Sequence, residues 1–103
     1  MALKSIIHII DFNEITTPKA LHTYFKKEFG FPDYYGMNWD AFWDCMTELF
    51  SDNRPINIEI HHFSKFEKKY PQNAKIMQNL LEQLKKYDAI HRYNSINICY
   101  ADD

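Results

Sequence analysis

Apolar positions in this chain follow two rhythms. Ile6 to Ile10, interrupted only by His8, form a continuous β-branched run that ends at Asp11. Such a run suits a strand covered on both faces, as in the middle of a parallel sheet. Ile56-Asn57-Ile58-Glu59-Ile60 alternates strictly after Pro55, and Ser95 to Tyr100 alternates again. Both read as strands with one better-buried face. Between these segments the period lengthens. Thr17-Pro18 is an N-cap with proline at the first helical position, and Leu21, Tyr24, Phe25 and Phe29 then share a face. Lys26 and Lys27 fall in the last turn and Gly30 supplies the stop. A second helix is predicted from near Asn38 to about Phe50, ended by Asp52-Asn53-Arg54-Pro55. A short helix is expected around Ser64–Lys69. A longer one should cover Asn73–Tyr87, with Ile76, Met77, Leu80, Leu81, Leu84 and Tyr87 on one side.

The predicted order is β-α-α-β-α-α-β, an α/β fold in one domain over residues 1–103. Helical crossovers between strands favour a three-stranded parallel sheet with right-handed connections. The first strand is expected in the middle, with Ile6, Ile7, Ile9 and Ile10 among the most buried positions. Composition narrows the class. Of 103 residues 46% are hydrophobic and 17% aromatic, against two glycines and four prolines, which excludes a disordered tail or a collagen-like repeat. A net charge of −2 argues against a general basic surface and so against direct nucleic-acid binding. Cys45 and Cys99 each lie in an apolar run with no C-x-x-C spacing, so both are expected as buried free thiols in a reducing compartment. The start of the chain is too short and mixed for a signal peptide, and no stretch approaches a membrane span. The expected location is the cytoplasm.

Candidate chemistry concentrates on the second helix. On a helical wheel Ala41, Phe42, Cys45, Met46 and Leu49 share the apolar side, while Asp40, Asp44, Thr47 and Glu48 share the opposite one. Trp43 falls at the boundary. The pattern permits a solvated acidic face with a half-buried tryptophan, which is the more frequent arrangement. It also permits a binding surface of tryptophan, spaced carboxylates and the preceding Tyr34 and Tyr35. General acid–base work by Asp40 and Asp44 would need a concave site that an exposed helical face does not provide, so the expectation is no enzyme. His61 and His62 are adjacent and point to opposite faces of a strand. No zinc spacing exists, and Gly30 and Gly36 do not make a phosphate loop, so neither metal nor cofactor is expected. Lys26-Lys27, Lys68-Lys69 and Lys85-Lys86 read as solvated charges. Glu82, among Lys75, Gln78 and Lys86, reads as a surface glutamate.

The segment from Leu21 to Phe50, and above all its block PDYYGMNWDAFWDC, closely resembles the barstar family of intracellular ribonuclease inhibitors. Weaker similarity runs along the whole chain. The resemblance implies the same strand and helix order. It also implies an immunity protein, as in toxin–antitoxin pairs, that blocks the active site of a cognate barnase-like ribonuclease and uses no cofactor. Family positions that contact the partner match Tyr34, Gly36, Asn38, Asp40, Trp43 and Asp44, and an acidic position of the last long helix matches Glu82. Asp44 would stand in for substrate phosphate among the nuclease's cations. The chain departs from the pattern at Met37, where an acidic residue is usual, and at Trp39, where leucine is usual. Both departures bear on partner choice. The alternative is a module that keeps the fold and binds a partner other than a ribonuclease through the same helix.

Overall fold

Local chemistry sets the element boundaries. The Thr17 hydroxyl accepts the Ala20 N–H at 3.0 Å, Pro18 opens the helix, and Gly30 closes it at φ 67°, a left-handed conformation that costs glycine little. The computed structural model describes residues 6–50, 56–91 and 96–101. In chain order these form β1 (Ile6–Asp11), a 3-10 turn (Phe12–Glu14), α1 (Pro18–Phe29), α2 (Trp39–Phe50), β2 (Ile56–His61), α3 (Ser64–Lys69), α4 (Pro71–His91) and β3 (Ile96–Tyr100). The sheet is parallel throughout, with registers Ile10↔Ile60 and Ile58↔Ile98.

The strand order is β1-β2-β3, so β2 is central and β1 lies at an edge. This corrects the expectation that β1 sits in the middle. The order has a second consequence. Successive right-handed crossovers that step in the same direction across a sheet fall on the same face. Burial agrees: Ile56, Ile58, Ile60, Ile96 and Ile10 are buried, while Ile7 is 54% and Ile9 46% exposed on the opposite face. The isoleucine-rich run therefore does not mark a strand covered on both sides. Its odd-numbered members share the open face with Asn57, whose Oδ1 accepts a hydrogen bond from Asn97 Nδ2 at 3.0 Å. Cys99 lies on that face too and is exposed, which corrects the expectation of a buried thiol. Cys45 is half-buried rather than enclosed; both thiols are free.

The covered face carries the core. Phe42, Met46, Leu21, Met77 and Leu84 are completely buried, and Phe25 packs on Phe42 with ring centroids 4.6 Å apart. Aromatic contact continues through Phe29, Phe31 and Tyr35. On α4 the buried line is Ala74, Met77, Leu81 and Leu84, whereas Ile76, expected among them, is 40% exposed. At the sheet edge the Tyr24 hydroxyl of α1 donates to Ile9 O at 2.9 Å and accepts from Asp11 N at 3.4 Å.

Two outcomes follow from this packing. A colourless disulfide reagent that releases a chromophore should label one thiol of the native protein rapidly, Cys99, and the second only slowly. Burial pushes the Cys45 thiol up, and the Glu48 and Asp44 charges add to the effect, which keeps its nucleophilic thiolate scarce. A Cys99→Ser variant should lose the fast phase. Phe42→Ala should cost about 3–5 kcal/mol in urea unfolding, as expected for removing a buried ring, while Ile7→Thr should change stability by less than about 0.5 kcal/mol.

Candidate functional site

The loop between α1 and α2 splits its paired tyrosines. Tyr35 turns inward, and its hydroxyl lies 2.6 Å from Nδ1 of the buried His22. Burial holds His22 below its usual range and pushes the Tyr35 phenol well above its own. Both shifts favour the neutral pair, joined by a single hydrogen bond between the Tyr35 hydroxyl and Nδ1. With Tyr35 pinned, Tyr34 is forced outward and is 82% exposed.

Asn38 then starts α2. Its Oδ1 accepts the Ala41 N–H at 2.8 Å and its Nδ2 donates to Gly36 O at 3.1 Å, so one side chain both caps the helix and fastens the loop. Close approach explains the glycine, since a Cβ at Gly36 would lie 3.1 Å from Asn38 Nδ2. Met37 between them takes φ 57°, an uncommon conformation for a residue with a side chain.

Two tryptophans join α2 to its surroundings. Trp39 meets His22 edge-on at 4.6 Å, and its Nε1 donates to Asn73 Oδ1 of α4 at 3.2 Å. Trp43 packs edge-on against Tyr87 of α4 at 5.9 Å. Between the helices runs an open groove of about 420 Å³, lined by Trp39, Asp40, Trp43, Asp44, Leu80 and Gln83. Asp40 and Asp44 stand exposed at its rim, one turn apart, and none of the described residues lining it is a cation.

The structure thus brings Asp40, Trp43 and Asp44 into one groove, and carries Tyr34, Gly36 and Asn38 on the loop that leads into it. Glu82 does not join them. It lies 3.7 Å from Lys85 Nζ and acts on Tyr100, whose phenol is pushed up by burial and further by the Glu82 charge. Gln83, the next residue, lines the groove instead, with Leu80 one turn away. Sequence reasoning missed both and left Trp39 out of the site. The signal was available as Trp39 and Trp43 at i, i+4 on one helix and Leu80 and Gln83 at i, i+3 on the other. The His22–Tyr35 pair left no such trace. Among the described residues no group of three or more His, Cys, Asp or Glu side chains is placed to hold a metal ion. None of the described helices is long and apolar enough to cross a membrane.

A family model described as "Barstar (barnase inhibitor)" matches residues 6–97. The chain belongs to the barstar family. A curated protein of Bacillus subtilis (strain 168) named "Putative ribonuclease inhibitor YrdF" is 33% identical over 81 residues, which cover 75% of this chain and 87% of that protein. For a barstar-family chain the parallel three-stranded sheet with helices between the strands is the expected architecture.

The buried histidine makes the site's foundation sensitive to acid. Its pKa is depressed in the folded state below the ordinary 6.5, so between the two values the unfolded chain binds the extra proton. The resulting stability is present above about pH 6.5 and is lost as pH falls through the folded value. Urea midpoints measured from pH 7.5 down to pH 5 should therefore fall more steeply for the native sequence than for His22→Gln. Glutamine keeps an acceptor for Tyr35 but takes up no proton.

Proposed function

We propose that this chain is a ribonuclease inhibitor that lays its Tyr34–Asp44 surface over the active site of a barnase-like enzyme. The observation that carries the proposal is the groove between α2 and α4, where two exposed carboxylates stand one turn apart against tryptophan walls with no cation among the described lining residues. The family match and the name of the Bacillus subtilis relative support the inhibitory role.

A ribonuclease holds substrate phosphate with Arg, Lys or His side chains. Asp44, exposed at the groove rim, can enter such a cluster and accept charge-assisted hydrogen bonds where phosphate would. Asp40, one turn earlier, meets a neighbouring cation, and Trp43 supplies apolar contact beside both. Tyr34 projects an amphipathic ring toward the partner, while Gly36 and Asn38 hold the loop close enough for its backbone to approach. Glu82, outside the groove, adds to the field that draws a basic enzyme in, and Gln83 takes the position at the wall. Inhibition of this kind is steric and electrostatic, without catalysis, metal or cofactor. An immunity protein acting on a nuclease of its own cell works in the cytoplasm. Met37 and Trp39 make this surface less acidic and more apolar than the family pattern, which suits a nuclease with a correspondingly apolar rim.

Inhibition assays on a barnase-type ribonuclease test the proposal. Asp44→Ala should weaken binding by about 2–5 kcal/mol, because the partner's cations stay buried without a counter-charge. Glu48→Ala, one turn further along α2 and outside the groove, should cost less than about 1 kcal/mol. Unfolding midpoints should barely move in either variant, and rising salt should slow association. An equal, small effect of the two substitutions would refute the phosphate-mimic role.

A further inference from the structure

A second recess lies away from α2, between the turn that follows β1 and the short helix α3. It has a volume of about 270 Å³, small for a ligand pocket; the half-buried Tyr70 forms its main apolar wall, and the almost fully buried Phe12, Ile15 and Phe66 reach its base only with small exposed parts. The three aromatic rings are contiguous, with ring centroids 5.0 Å apart for Phe12–Phe66 and 5.3 Å for Phe66–Tyr70. Lys65 and Lys69, one turn apart on α3, stand at its rim. Lys69 Nζ is held 5.5 Å from the centre of the Tyr70 ring, so its ammonium stays at the mouth. Among the described residues no carboxylate lines the recess. Glu14, from the same turn, lines a separate hollow with Tyr24 and Lys27, and Glu67, between the two lysines on α3, is not among the residues that line the recess.

In a chain of net charge −2, an acid-free apolar recess under two ammonium groups is a local reversal of sign. We propose that it binds a small amphipathic anion: a planar body of one or two fused rings against Tyr70 and the small exposed parts of Phe12 and Phe66, with its carboxylate at Lys65 and Lys69. The volume limits the body to that size. The lysine stems cover its flank while their charges meet the anion. This site shares no residue with the α2–α4 groove, so it stands or falls separately from the inhibitory surface.

The test is titration of the isotope-labelled native protein with indole-3-acetate, read by amide chemical shifts, alongside the neutral 3-methylindole. Saturable shifts should cluster on Phe12–Thr16 and Ser64–Tyr70, with a dissociation constant of order 1 mM or tighter for a ligand of this size. The neutral probe should bind at least about tenfold more weakly. Lys65→Gln with Lys69→Gln should lose the same factor, its other amide shifts staying in place. Shifts that scatter or fail to saturate would overturn the proposal. So would equal binding of the two probes, an arm that needs no variant, or an unchanged affinity in the double variant.

Discussion

Helices on one side of a three-stranded sheet leave that sheet a single surface on which apolar area can be hidden. Everything else in the molecule answers to this constraint. Ile56, Ile58 and Ile60 can bury only their own face, so the remaining core must be built above them by the helices themselves. Large rings do that work: Phe25, Phe29, Phe31, Phe42 and Tyr35 bridge distances that aliphatic side chains would leave open. The same thickness forces α2 and α4 to meet each other as well as the sheet. Their meeting line, with Trp43 on Tyr87 and Trp39 bonded to Asn73, is where the groove opens.

The acidic surface therefore rests on the core and is not appended to it. Tyr35 and His22 are buried by the aromatic stack, yet they fix the loop that presents Tyr34 and delivers Asn38 to its capping position. Asp40 and Asp44 inherit their positions from that cap, since the register of α2 is set at its first turn. Groups held on a helix and a pinned loop have little conformational freedom left to lose on association.

Features decided within a few residues were legible before the structure. Thr17, Pro18, Gly30 and Asn38 mark helix ends through bonds to their immediate neighbours, and the wheel placed Asp40 and Asp44 opposite Phe42 and Met46. Misreadings came where two faces of an element differ through distant partners. The isoleucine run of β1 looks the same whether Ile7 and Ile9 meet a helix or water, and only the strand order decides. Cys99 could have been read correctly: it alternates with Ile96 and Ile98 and so belongs with Asn97. On α4 one residue is about 100° of rotation, enough to take Ile76 out of the buried line to which Met77 belongs. The His22–Tyr35 bond joins residues from two different elements and has no local pattern at all.

The hydroxyl of Tyr24 occupies outward-facing backbone groups of β1, Ile9 O and Asp11 N. An edge strand normally offers those groups to any extended chain that passes. Stacking copies of this sheet end to end would need one open edge to receive and another to offer, repeated without limit. With those two groups engaged by a phenol from its own helix, β1 is a poorer edge to extend. One tyrosine thus helps keep an isoleucine-rich strand from seeding a fibril.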